Sequence, residues 1–85
     1  MAEYLVELYV SRDGQAALEG AVARVRAAAQ ELTRGGAPVR YLRTIFVPED
    51  ETCFILYEAA SAEAAGEATR RAGLLFDRVV EAIDA

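Results

Sequence analysis

Between Gln15 and Arg34 apolar residues recur at three- and four-residue steps, and on either side of that stretch they recur at two. Leu18, Ala21, Val22, Val25, Ala28, Ala29 and Leu32 form one stripe along about 20 helical residues, roughly 30 Å long. Glu19, Arg24, Arg26, Gln30 and Glu31 lie off it. A long helix with a single apolar face needs a flat apolar partner, and the flanking period-two segments supply one. Tyr4 to Val10 alternates, with Tyr4, Val6, Leu8 and Val10 on one side and Leu5, Glu7 and Tyr9 on the other. Ser11 or Asp13 is placed to cap the helix, and Gly35-Gly36 followed by Pro38 stops it.

The remaining segments complete a regular order. Val39–Val47 and Thr52–Ala59 have strand character and are joined by the acidic turn Pro48-Glu49-Asp50-Glu51, which predicts an antiparallel hairpin. Ser61 caps a second helix of about 12 residues, with Glu63 in its first turn and Arg70 and Arg71 at its end. Ala64, Ala65, Ala68 and Ala72 make its buried face, and Gly73 ends it. A last strand is expected near Arg78–Ile83. Strand, helix, strand, strand, helix, strand gives two right-handed βαβ units. The predicted fold is α+β, ferredoxin-like βαββαβ, a single domain over residues 1–85. Its four-stranded antiparallel sheet has order 4-1-3-2 with two helices on one face.

Two helices can cover only one side of that sheet, and both sides are largely apolar. Phe54 and Leu56 oppose Cys53, Ile55 and Tyr57; Tyr41, Ile45 and Val47 oppose Leu42 and Phe46; Leu5 and Tyr9 oppose Val6 and Leu8. The chain is 54% hydrophobic, more than a lone domain of 85 residues needs. A homodimer joined through the helix-free face is therefore expected, two-fold pairs being the commonest solution. Phe54 is expected to be buried, so that an aspartate there would strand a charge. Polar residues interrupt the sheet, and Glu7, Tyr9, Arg40, Arg43 and Tyr57 are the candidates to line a small-molecule pocket between subunits. Rim ion pairs are the plainer role for the charged ones.

Several chemistries are disfavoured. The net charge of −5 and pI near 4.6 repel phosphate backbones, so no nucleic acid is expected as a partner. Tyr9, Phe54 and Tyr57 could stack bases in an RNA-recognition motif, which shares this topology, but the basic-glycine-aromatic run of that motif is missing. There is no histidine, so neither a conventional triad nor an imidazole metal site can be built. Cys53 with Asp50, Glu51 or Glu58 is a poor ligand set, because alternating strand residues diverge, and a buried inert thiol is the simpler role. Gly35-Gly36 lacks any phosphate-binding fingerprint. No catalytic residue, metal ligand or cofactor is assigned. A single cysteine and the absence of a signal-peptide pattern or a long apolar run lead us to expect a cytoplasmic protein without a membrane partner.

The segments Val39-Arg40-Tyr41-Leu42-Arg43-Thr44 and Phe46-Val47-Pro48-Glu49-Asp50-Glu51-Thr52-Cys53-Phe54, Glu58-Ala59 before Ser61-Ala62-Glu63-Ala64, and Arg70-Arg71-Ala72-Gly73 before Phe76-Asp77-Arg78-Val79-Val80-Glu81-Ala82 resemble a family of small bacterial proteins. The family is common in actinobacteria, is classed as a domain of unknown function, and is often labelled nickel-binding. The likeness covers nearly the whole chain and implies a ferredoxin-like homodimer. It also implies nickel binding through histidines, one of them near the Ala-Gly segment. Here Gly73 is followed by Leu74, and no ligand position carries over. The leading expectation is a non-catalytic small-ligand-binding or accessory protein. The alternatives are a cofactor-independent dimeric α/β-barrel enzyme and a nickel-binding protein using carboxylates.

Overall fold

A computed structural model describes residues 1–85. Strand β1 (Ala2–Tyr9), helix α1 (Gln15–Arg34), strands β2 (Val39–Val47) and β3 (Thr52–Ala59), helix α2 (Ala62–Arg71) and strand β4 (Arg78–Ala82) follow in that order. The sheet order is β2-β3-β1-β4 with every pairing antiparallel, so β1 lies in the interior and β2 forms one edge. This is the predicted ferredoxin-like topology. No helix is long and apolar enough to cross a membrane.

The core lies between the sheet and the two helices. Val6 and Leu8 of β1 and Cys53, Ile55, Tyr57 and Ala59 of β3 meet Val25, Ala29 and Leu32 of α1 and Ala64, Ala65, Ala68 and Ala72 of α2. The alanines let α2 sit close to the strands. Gly66 takes this further: a Cβ there would stand 3.3 Å from Phe76 Cζ and 3.6 Å from Val79 Cγ2. The buried Tyr57 hydroxyl lies 2.8 Å from Thr69 Oγ1, which itself donates to the Ala65 carbonyl, so the tyrosine is the donor.

The helix ends differ in how they are held. Ser61 Oγ accepts from the Ala64 N–H at 3.1 Å, as expected of a cap, and α2 closes on Gly73 in a left-handed conformation, φ +80°. The expected cap of α1 by Ser11 or Asp13 does not form. Its first residue follows Gly14, which supplies no side chain, while Ser11 Oγ turns to the Asp13 N–H at 3.4 Å. Burial of its long stripe holds α1 without that bond.

One feature of β2 departs from simple alternation. Tyr41 pairs with Tyr57 and Arg43 with Leu56, leaving Leu42 as an extra residue. The bulge inverts the face of every later residue. Tyr41 therefore belongs to the core, with its ring edge-on to Tyr57 at 6.4 Å. Arg43, Ile45 and Val47 belong to the helix-free face, alongside Arg40. The expected grouping of Tyr41 with Ile45 and Val47 is corrected accordingly. Phe54 also lies on the helix-free face, partly exposed rather than buried.

Candidate functional site

The register defines the helix-free face row by row. Arg40, Glu58, Glu3 and Ala82 cross the sheet at one end; Arg43, Leu56, Leu5 and Val80 come next, then Ile45, Phe54, Glu7 and Arg78, and finally Val47, Thr52 and Tyr9. The middle is apolar. Leu56 is 8% exposed, while Ile45 and Val80 reach 40% and 36%. Three glutamates, Glu3, Glu7 and Glu58, stand against three arginines, Arg40, Arg43 and Arg78. The face is thus neutral, although the whole chain carries −5.

Its charges are paired where the ladder brings opposites together. Arg40 Nη2 lies 3.2 Å from Glu58 Oε1, and Arg78 Nε donates to Glu7 Oε1 at 3.1 Å. The two pairs sit at different places: Glu7 is four residues along β1 from the row of Glu58, about 13 Å at the usual strand rise. Arg43 has no carboxylate within ion-pair distance.

The five residues singled out from the sequence are therefore separated. Glu7, Tyr9, Arg40 and Arg43 share the helix-free face without converging on a point. Tyr9 stands at its far end, 66% exposed, with its hydroxyl 3.4 Å from Glu51 Oε2. Tyr57 lies on the opposite side of the sheet, sealed under α2. It cannot line a pocket with the others, and desolvation pushes its phenol up to about 12.

A concave feature elsewhere on the molecule was not among the sequence candidates. A cleft of about 570 Å³ opens between the C-terminal half of α1 and the start of edge strand β2. Arg26, Gln30 and Arg34 border it from the helix and Pro38 to Tyr41 from the strand. The Arg26 guanidinium lies over the Tyr41 ring, 5.0 Å from its centroid. The signal in the sequence was the four-residue spacing of Arg26, Gln30 and Arg34, all off the apolar stripe. Only the fold shows that this polar row faces a strand edge rather than open water.

Architecture and surface define an α/β plait domain with one neutral, uncovered sheet face. A family model described as "Nickel responsive protein SCO4226-like" matches residues 4–82, and the chain belongs to that family. Among solved structures it is similar to SCO4226 from Streptomyces coelicolor A3(2), with a TM-score of 0.83 and 22% identity over 99% of this chain and 100% of that one. At that identity the match speaks for the fold. A search of curated proteins finds no match.

The donor set here does not fit a nickel ion. The chain has no histidine, and no three side chains among cysteine, aspartate and glutamate gather into a group that could hold a metal. Its one thiol, Cys53, is fully buried, and desolvation pushes it up to about 11, far from the thiolate a soft metal would require.

Proposed function

We propose that this chain works as a homodimer, a small-ligand-binding or accessory member of its family that does not use metal chemistry. The neutral apolar face carries this reading. A second copy can approach that face without the repulsion that the rest of an acidic chain would impose, and a two-fold axis suits a surface that holds equal numbers of both charges. Covering Leu5, Ile45, Phe54 and Val80 removes apolar area from water that a single subunit leaves partly wet. The Arg40–Glu58 pair then lies toward one end of the face and the Glu7–Arg78 pair nearer its middle, each already neutralised, so that they fix register rather than supply affinity.

The accessory role follows from what the polar residues already do. Glu7 and Glu58 are each engaged by an arginine, Tyr57 is sealed in the core, and the remaining candidates stand apart. Sedimentation equilibrium through the low micromolar range tests the dimer, and a monomer throughout would overturn it. Equilibrium dialysis against Ni²⁺ at micromolar concentration tests the rest. No retained metal is expected, and stoichiometric retention would return the chain to a metal-dependent role using carboxylates.

A further inference from the structure

We infer that the α1–β2 cleft is a binding site for a small organic carboxylate with a flat apolar body. This deepens the small-ligand half of the reading above and is independent of the dimer, because the cleft opens at the sheet edge on the helix side.

The arginines are unevenly engaged. Of nine, Arg12, Arg40, Arg70, Arg71 and Arg78 pair with carboxylates, and Arg24 donates to the Ala72 carbonyl at 2.9 Å. Arg26, Arg34 and Arg43 have no such partner, and two of these three border one cleft. The chain has 14 acidic residues, yet none borders that cleft. Arg40 also lines it but turns its guanidinium to Glu58. A concave region carrying unpaired cations on an otherwise acidic surface concentrates field and selects an anion. Arginine forks match a carboxylate in two parallel hydrogen bonds.

The backbone adds a donor. Thr33 Oγ1 accepts from the Val39 N–H at 3.0 Å and donates to the Val39 carbonyl at 2.9 Å, so both groups point away from β3. The Ala60 N–H bond to the Pro38 carbonyl fits the same phase. Alternation then turns the Tyr41 N–H to the open edge of β2 as well, ahead of the bulge. Ala29, Pro38 and Val39 supply an apolar floor. The Tyr41 ring already lies under one guanidinium, and an aromatic ligand would add a second flat apolar surface for the arginines to meet. Inorganic anions would use the cations but not the floor. The volume falls within the usual range for small-molecule pockets.

Benzoate is the probe, with benzamide as its neutral isostere and inorganic phosphate as the anion without an apolar body. Amide NMR titration of the full chain should show saturable benzoate binding, with shifts confined to Arg26–Arg34 and Val39–Tyr41. Benzamide and phosphate should each bind roughly tenfold more weakly or worse. Arg34→Gln should weaken benzoate by about tenfold at unchanged melting temperature, and Arg26→Gln by as much with a small drop in melting temperature from its lost contact with the Tyr41 ring. Arg43→Gln, on the other face, should leave it intact. Equal binding of benzamide removes the arginines from the explanation, and equal binding of phosphate reduces the site to a diffuse positive patch. Absence of benzoate shifts at millimolar concentration overturns the site outright. Sedimentation of the same samples separates any of these failures from failure of the dimer.

Discussion

The dimer reading stands or falls on Phe54. It lies mid-face between Ile45 and Glu7 and is half-buried in the lone subunit. A phenylalanine side chain has about 200 Å² to bury, and because Phe54 is already half-buried at most about 60 Å² remains for a partner. At ~25 cal/mol/Å² that is about 1.5 kcal/mol, and the two-fold counts it twice, giving about 3 kcal/mol. Phe54→Asp forfeits this term and sets a carboxylate opposite Glu7, where like charges repel, in a region the partner would have to dehydrate. The dimer dissociation constant should rise at least about a hundredfold. Sedimentation velocity at several concentrations reads this, with circular dichroism as the check on folding. The same ring also contributes to the lone subunit, so Ile45→Asp, on the edge strand and already 40% exposed, serves as the milder partner variant. A folded Ile45→Asp protein that dimerises as tightly as the parent would refute the placement of the interface.

Other consequences follow from the core and the helix ends. Desolvation raises Cys53 from 9.0 to about 11 and Tyr57 from 10.0 to about 12. Both fold in the neutral form, so their contribution is intact below pH 9 and is lost as pH climbs toward 12, roughly 2–3 kcal/mol each. Denaturant titrations across that window should show the decline, and Tyr57→Phe should flatten its upper part. That variant costs only about 1 kcal/mol at neutral pH, because Thr69 keeps its bond to the Ala65 carbonyl. Ser61→Ala removes the cap of α2 and should cost about 1 kcal/mol by urea unfolding. Gly66→Leu forces a side chain into the space held by Phe76 and Val79 and should cost about 1–3 kcal/mol or more in the same assay.

The absence of histidine gives the chain's place in its family a physical content. The α/β plait needs only the two-period strands, the helical stripes and small residues under α2, and none of these involves a metal ligand. A chain without imidazoles can therefore form this fold while lacking the borderline nitrogen donors that suit nickel. What such a chain retains is the frame: an uncovered sheet face and the edges beside it.

How far the sequence revealed these placements depends on whether a feature is local or requires register. The stripe from Leu18 to Leu32, the Ser61 cap and the Gly73 stop are written within one turn of helix, so they were legible, as was the strand order that follows from connection rules. The face of a residue in β2 was not, because one extra residue at Leu42 inverts everything after it. Strict alternation sends Arg40 and Arg43 to opposite sides and keeps Tyr41 with Ile45. The bulge instead brings both arginines to the helix-free face and commits Tyr41 to the core, where its ring meets Arg26 at the mouth of the cleft. Nothing in Tyr41-Leu42-Arg43 marks the bulge, since no glycine or proline is present. It is imposed by the need to bury Tyr41 against Tyr57 and Phe46 beside Cys53 on the same face, two residues whose odd separation in the chain no unbroken strand could reconcile.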